Sequence, residues 1–130
     1  MKIKLKKKPK NPVIIEGFPG IGLVGNIVTQ FLVEHMDCEL IGQFEYDELP
    51  PIATVHNGKL MNPMSVFYSE KHNVIILQTV LNVKGVEWEI ADSIIDMAKE
   101  LKAKEVLSIE GMGVREPKEE TQLYYYGDKK

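Results

Sequence analysis

The segment IATVHNGKLM, residues 52–61, sets two short apolar runs on either side of Asn57-Gly58. Asn-Gly is the strongest short-range signal for a two-residue type I′ β-hairpin, because both turn residues need positive φ. Its place in the chain decides between two folds. Upstream, residues 14–26 read IIEGFPGIGLVGN, with Gly20, Gly22 and Gly25 in G-x-G-x-x-G spacing after an apolar strand and ahead of a helical pattern. In a dinucleotide-binding domain that spacing aims a helix N-terminus at a pyrophosphate, and the second strand continues into a further helix. Here the second strand leads into hairpins. Pro19 also interrupts the turn, and the chain has no G-K-[ST] for a phosphate loop. A helix packed closely on a strand exit asks for small residues at the same positions. The turn therefore reads first as structural, with anion or small-ligand binding at the helix N-terminus as the alternative. Glu45, 20 positions after Gly25, stands where a ribose-binding carboxylate would.

Working outward, the elements fall into order. Val13–Glu16 is a short, continuously apolar strand. Between Ile21 and Met36, residues Leu23, Val24, Ile27, Val28, Phe31, Leu32 and His35 recur at three- and four-residue spacing. That helix is apolar over much of its circumference, which predicts that it is well buried. CELIGQFEY, residues 38–46, alternates Leu40, Gly42 and Phe44 with Ile41, Gln43 and Glu45, and Pro50-Pro51 ends it. After the hairpin, MSVFYSE (64–70) turns at 71–73 into VIILQTV (74–80), whose four consecutive aliphatic residues predict a central strand buried on both faces. A second helix spans about Val86 to Lys102, with Ile90, Ile94, Met97, Ala98 and Leu101 toward the core. Glu87 and Glu89 in its first turn, and Lys99 and Lys102 near its end, suit the helix dipole. EVLSIEGMG (105–113) reads as another strand entering glycines. A charged loop, REPKEE (115–120), leads to a tyrosine-rich strand, TQLYYYG (121–127). The pattern predicts an α/β domain with a mixed sheet: parallel strands at 13–16, 74–78 and 105–109, antiparallel hairpins between them, and helices packed on the sheet. Residues 1–12 form a basic arm or edge strand, and 13–130 a single α/β domain.

With 130 residues, 44% hydrophobic and 27% charged, the chain suits one domain with a real core. No apolar stretch approaches the ~18 residues of a membrane span, and the basic start MKIKLKKKPK is followed by no signal-type apolar region. The expected compartment is the cytoplasm, with no membrane partner. Cys38 is single and has no ligand-spaced Cys or His near it, so neither an internal disulfide nor a metal is expected. The net charge is −3, yet Lys2, Lys4, Lys6, Lys7, Lys8 and Lys10 supply six positive charges, so residues 11–130 carry −9. A duplex binder gathers positive charge along a face of its fold, so no nucleic acid is expected as a partner. Ile3 and Leu5 alternating with lysines suit an edge strand protected from aggregation. The abundance of Lys and Glu beside a single Arg is a thermophile-like composition.

Candidate sites are few. Glu16-Gly17 and Glu110-Gly111 close parallel strands at their carboxyl ends, where open α/β sheets place ligands. The two carboxylates are therefore candidates to share one crevice beside the Gly20–Gly25 turn, where a close pair would raise one pKa, although hydrogen bonds to loop amides explain a glutamate at a strand exit equally well. His35, His56 and His72 fall on a helix end and two turns, and imply no nucleophile arrangement. Glu45, Asp47 and Glu48 form an acidic loop before Pro50-Pro51, a candidate recognition edge. FLVEHM (31–36), Met61, Met64, Trp88 and the run Tyr124 to Tyr126 supply more large side chains than a core of this size readily hides, which predicts self-association. Trp88, Tyr124 and Tyr126 are the candidate contact residues, and no catalytic residue is assigned.

EGFPGIGLVGN (16–26), EYDELPP (45–51), the Asn-Gly hairpin, VIILQ (74–78) and SIEGMGV (108–114) closely resemble archaeal members of the proteasome assembly chaperone 2 family. The resemblance runs from about Val13 to Val114. It implies a three-layer α/β/α fold with a mixed sheet, similar to nucleoside phosphorylases, and a non-catalytic protein-interaction role without a cofactor. Proteasome α subunits are the partners it implies, since the eukaryotic relatives assemble the α-ring. Some archaeal members carry labels such as ATP-grasp or carboxylate-amine ligase. The alternative is accordingly an enzyme that holds a nucleotide or small ligand with Glu16, Gly17, Gly20, Gly22, Gly25, Glu110 and Gly111. Two departures stand out. Family members are usually longer, so the chain looks like an N-terminal half, and the family's hydrophobic-Tyr-any tail is replaced by Asp128-Lys129-Lys130.

Overall fold

Isoleucine, valine and leucine concentrate where the chain is most enclosed. In a computed structural model, which describes residues 1–128, β1 (Lys2–Leu5), β2 (Val13–Gly17), β3 (Glu39–Glu45), β6 (Met64–Ser69), β7 (Val74–Thr79) and β8 (Glu105–Ser108) form one sheet in the order β1-β3-β6-β7-β2-β8. Lys129 and Lys130, the last residues of the chain end noted above, lie outside the described residues. β2 pairs in parallel with both β7 and β8, and the remaining pairings are antiparallel. β4 (Thr54–His56) and β5 (Lys59–Met61) make a separate two-stranded hairpin. Its turn residues have φ of 51° at Asn57 and 73° at Gly58, the all-positive geometry of a type I′ turn. The parallel strands, the Asn-Gly hairpin and the doubly buried β7 all stand where the sequence reading puts them.

One helix lies on each face of the sheet. α2 (Glu87–Leu101) inserts Ile90, Ile94, Met97 and Leu101 into a cluster with Ile14, Phe44, Val66, Ile75 and Leu77. Alternate residues of the same strands, Phe67 and Ile76, are buried outside that cluster, on the side where α1 (Val24–His35) crosses β2 and β7. A 3-10 turn at Ile21–Leu23 precedes α1. No helix among the described residues is long and apolar enough to cross a membrane.

Three expectations are corrected. α1 is not well buried: only Gly25 and Thr29 are enclosed, while Ile27 and Phe31 are 60% and 57% exposed. Helical periodicity fixes which residues share a face, but whether anything covers that face depends on the rest of the fold. The alternation in β3 is broken by a bulge between Leu40 and Gly42, so Ile41 and Phe44 both enter the core and Leu40 is left half exposed. TQLYYYG forms no strand. Residues 109–128 have no regular structure, and Leu123 to Tyr126 are exposed, because a high strand propensity needs a partner strand to pair with.

The two sheet edges differ. β1 presents Lys2 and Lys4 to solvent, both paired with Glu45 at 3.3 and 3.4 Å, and its approach to β3 is close enough that a side chain at Gly42 would strike Lys4 and Leu5. Lys7 pairs with Glu39 and Glu70, and Lys8 with Glu100, so much of the basic arm is tied down onto acidic partners. Among the described residues β8 has β2 on one side alone, and Val106 and Ser108 in it are exposed.

Candidate functional site

The exits of β2 and β8 meet the first turn of α1, and glycines make the meeting possible. A Cβ at Gly17 would fall on the Gly25 carbonyl, and one at Gly25 on the Ile109 carbonyl and within 2.9 Å of the Gly17 Cα. A Cβ at Gly111 would collide with the Ile21 carbonyl. These three positions are therefore glycine because backbone touches backbone there. Gly22 differs: its φ is +66° and its only close neighbour would be the Val24 side chain at 3.6 Å, so the demand is conformational. A Cβ at Gly20 would approach Glu110 Oε2 at 3.0 Å. α1 starts without a side-chain cap, Leu23 adopting a left-handed φ of 54°. Two side chains then tie the helix to the sheet. Asn26 Nδ2 donates to the Thr79 carbonyl at 2.5 Å, and the buried Thr29 hydroxyl, which donates within the helix to the Gly25 carbonyl at 3.0 Å, also reaches the Gly17 carbonyl of β2 at 3.4 Å.

Beside this turn lies a cavity of about 340 Å³. Glu16 and Glu110 both line it, as the positions of their strand exits predict, together with Lys84, Asn82 and an apolar floor of Phe18, Val83, Ile90 and Ile94. One Glu16 oxygen, Oε2, is buried without a hydrogen-bond partner. Burial pushes the Glu16 carboxyl above its ordinary value near 4.5, with the charge of Glu110 adding to the rise. The Ser108 hydroxyl and the Phe18 amide act in the opposite sense by favouring the charged form. Sequence reasoning finds both carboxylates and all five glycines of this corner. It misses Lys84 and Asn82, which reach the cavity from the loop before α2 and carry no motif.

The other candidates lie apart from it. Glu45 is held below the ordinary carboxylate range by its hydrogen bond from Lys2, with Lys4 alongside. Glu48 accepts from the N-terminal ammonium at 3.1 Å, and its carboxyl is held down first by its own backbone amide and then by that ammonium. Asp47 is exposed in the same loop, so the acidic edge is partly neutralised by chain neighbours. Trp88 stands on the outer side of α2 and is 82% exposed. Tyr124 and Tyr126 are exposed in the irregular segment after β8. The structure thus brings the ligand candidates together and leaves the contact candidates on separate surfaces. Among the described residues no group of three or more His, Cys, Asp or Glu side chains is placed to hold a metal ion.

Comparison with known proteins adds three findings. A model of the PAC2 family matches residues 14–129. Two uncharacterized proteins of Methanocaldococcus jannaschii are similar to the chain. MJ0106 is 32% identical over 78 residues, 60% of this chain and 32% of its own length. MJ1210 is 27% identical over 128 residues, 95% of this chain and 50% of its own length. Among solved structures, Pyrococcus furiosus PbaA, an archaeal homolog of proteasome-assembly chaperone, matches with a TM-score of 0.82 and 31% identity, covering 92% of this chain and 50% of PbaA. The chain spans half or less of the length of each of these relatives.

Proposed function

Because the chain belongs to the PAC2 family, we infer that it is a non-catalytic protein-binding module of the proteasome-assembly-chaperone kind, which self-associates in the cytoplasm and engages proteasome α subunits. One observation carries this reading beyond the family. Large apolar side chains stand exposed on three separate elements: Ile27 and Phe31 on α1, Trp88 and Ile95 on α2, and Val55 and Leu60 on the hairpin. Scattered single hydrophobes need no explanation, whereas groups on several faces suit a module that holds more than one neighbour. Tryptophan is enriched among the residues that dominate binding energy, so the α2 group is the natural client surface. The glycine corner is, in this reading, the device that seats α1 on the sheet.

Native mass spectrometry of the protein mixed with archaeal proteasome α subunits tests the reading. The expected result is a complex with α subunits that Trp88→Glu abolishes while the variant stays folded. No complex at tens of micromolar, or a stoichiometric adduct with ATP or NAD, would overturn it.

A further inference from the structure

The cavity beside the glycine corner has a charge balance that the G-x-G-x-x-G spacing does not foretell. At about 340 Å³ it lies near the lower end of the roughly 300–1,000 Å³ of small-molecule sites. Three carboxylates line it, those of Glu16, Glu87 and Glu110, against the single ammonium of Lys84. Among the described residues Lys84 makes no ion pair with any of the three. Glu87 is already engaged, accepting from the Gly85 amide at 2.8 Å. Glu110 is exposed, with its Oε2 close to Gly20, where a Cβ would stand 3.0 Å from it. Glu16 is unsatisfied: its Oε2 is enclosed with no hydrogen-bond partner, and a buried acceptor left unpaired carries a penalty that a donor entering the cavity would relieve. Beneath the carboxylates the floor is apolar, made by the buried Val83, Ile90 and Ile94 with Phe18.

We propose that this cavity binds a small organic cation, an ammonium on a short apolar stem, with Glu16 and Glu110 receiving the ammonium and the floor covering the stem. The sign follows from the lining. A nucleotide or other anion would bring its charge to three carboxylates, whereas an ammonium supplies the donor that Glu16 Oε2 lacks and offsets the cost of enclosing a carboxylate. A metal ion is a poorer match, since no group of three or more His, Cys, Asp or Glu among the described residues is placed to hold one. The apolar floor selects carbon behind the charge, and Lys84 is the competing cation. Binding here requires no chemistry, so the site goes beyond the protein-binding reading above and does not depend on it.

Titration of the full chain with n-butylammonium chloride at neutral pH and constant ionic strength, followed by two-dimensional amide NMR spectra, tests it. The expected result is saturable shifts at the amides of Phe18, Val83 and Glu110 with a dissociation constant of about 1 mM, modest for a probe of about five heavy atoms. Sodium butanoate gives none. Glu16→Gln weakens binding about tenfold and Glu110→Gln, at an exposed position, about threefold, whereas Lys84→Gln strengthens it about twofold. Ala91→Leu, on the cavity wall, keeps every charge and blocks the site; the same spectra show that each variant is folded. N-acetyl-lysine methylamide distinguishes the source: affinity equal to that of butylammonium assigns the ammonium to a lysine side chain of a partner, and exclusion assigns it to a free amine. No shifts up to about 50 mM amine, butanoate bound in its place, a Glu16→Gln variant that binds like the wild type, or a Lys84→Gln variant that loses binding overturns the proposal. Capture of α subunits is read separately through Trp88→Glu, so failure of one reading leaves the other standing.

Discussion

Replacing Gly25 by alanine sets helix propensity against packing, and the structure says which prevails. Gly25 is the second residue of α1, and in an unpacked helix alanine is favoured over glycine by about 1 kcal/mol. The added methyl would meet the Ile109 carbonyl and lie 2.9 Å from the Gly17 Cα and 3.1 Å from the Gly17 carbonyl carbon. All three atoms are backbone at the exits of β2 and β8, so no flexible side chain can swing aside. α1 must lift off the sheet, which loosens the Asn26–Thr79 hydrogen bond. Forcing a methyl group into a filled site costs about 1–3 kcal/mol, and lifting the helix places this case at the upper end. The expected net loss is about 2 kcal/mol, which at this chain length lowers Tm by about 6–8 °C. Thermal and urea unfolding followed by circular dichroism measure it, with Gly22→Ala as the comparator. There the neighbour is a side chain at 3.6 Å, and only the left-handed φ is penalised, at about 1 kcal/mol. A Gly25→Ala variant as stable as the wild type, or less perturbed than Gly22→Ala, would refute the close-packing account of the turn.

Glu16 gives a pH signature. Its carboxyl is raised in the folded state, so the native protein binds that proton more tightly than the unfolded chain does. The contribution of the group to stability therefore falls as pH rises from about 4.5 through the folded-state value, and levels off above it. Glu16→Gln removes the fall, so the variant gains on the wild type as pH rises from about 4.5; urea titrations in which the gap stays constant with pH would contradict this. Leu77→Ala, at a fully buried position of β7, costs about 2–5 kcal/mol in the same assay, and a loss under 1 kcal/mol would show that the core sits elsewhere. Gly58→Ala meets no neighbour within 4 Å but has a φ of +73°, so its cost of about 1 kcal/mol falls on the hairpin. Amide exchange that speeds up in β4 and β5 but not in β7 is the expected pattern, and exchange unchanged in β4 and β5 would count against it.

Where local chemistry decides the conformation, the amino-acid sequence is readable in detail. Asn57-Gly58 meets a steric demand set within two residues, and the aliphatic run of β7 has no stable place except between two covered faces. The convergence of Glu16 and Glu110 is equally legible, since adjacent parallel strands must deliver their exits to one side of the sheet. The G-x-G-x-x-G spacing is the misleading signal: of its members only Gly25 touches backbone, and the partners that complete the packing, Gly17 and Gly111, lie outside the motif. Exposure of α1 and the unpaired tyrosines escape the reading for a shared reason. Both depend on whether another part of the fold arrives to cover or pair a segment, and residue type does not encode that. The stretch from Gly17 to Val33 carries no charge, and a buried helix and an exposed one leave that same mark on a sequence.

The unlike ends of the sheet carry one last consequence. In polymer terms the six-stranded sheet is monofunctional among the described residues: lysines block addition at β1, and its other edge, β8, offers free backbone groups beside Val106 and Ser108. An extended segment that adds at β8 consumes the single reactive end, and joining two copies there leaves a lysine-bearing terminus at both extremities. Growth of this sheet by strand addition at β8 therefore stops after one step.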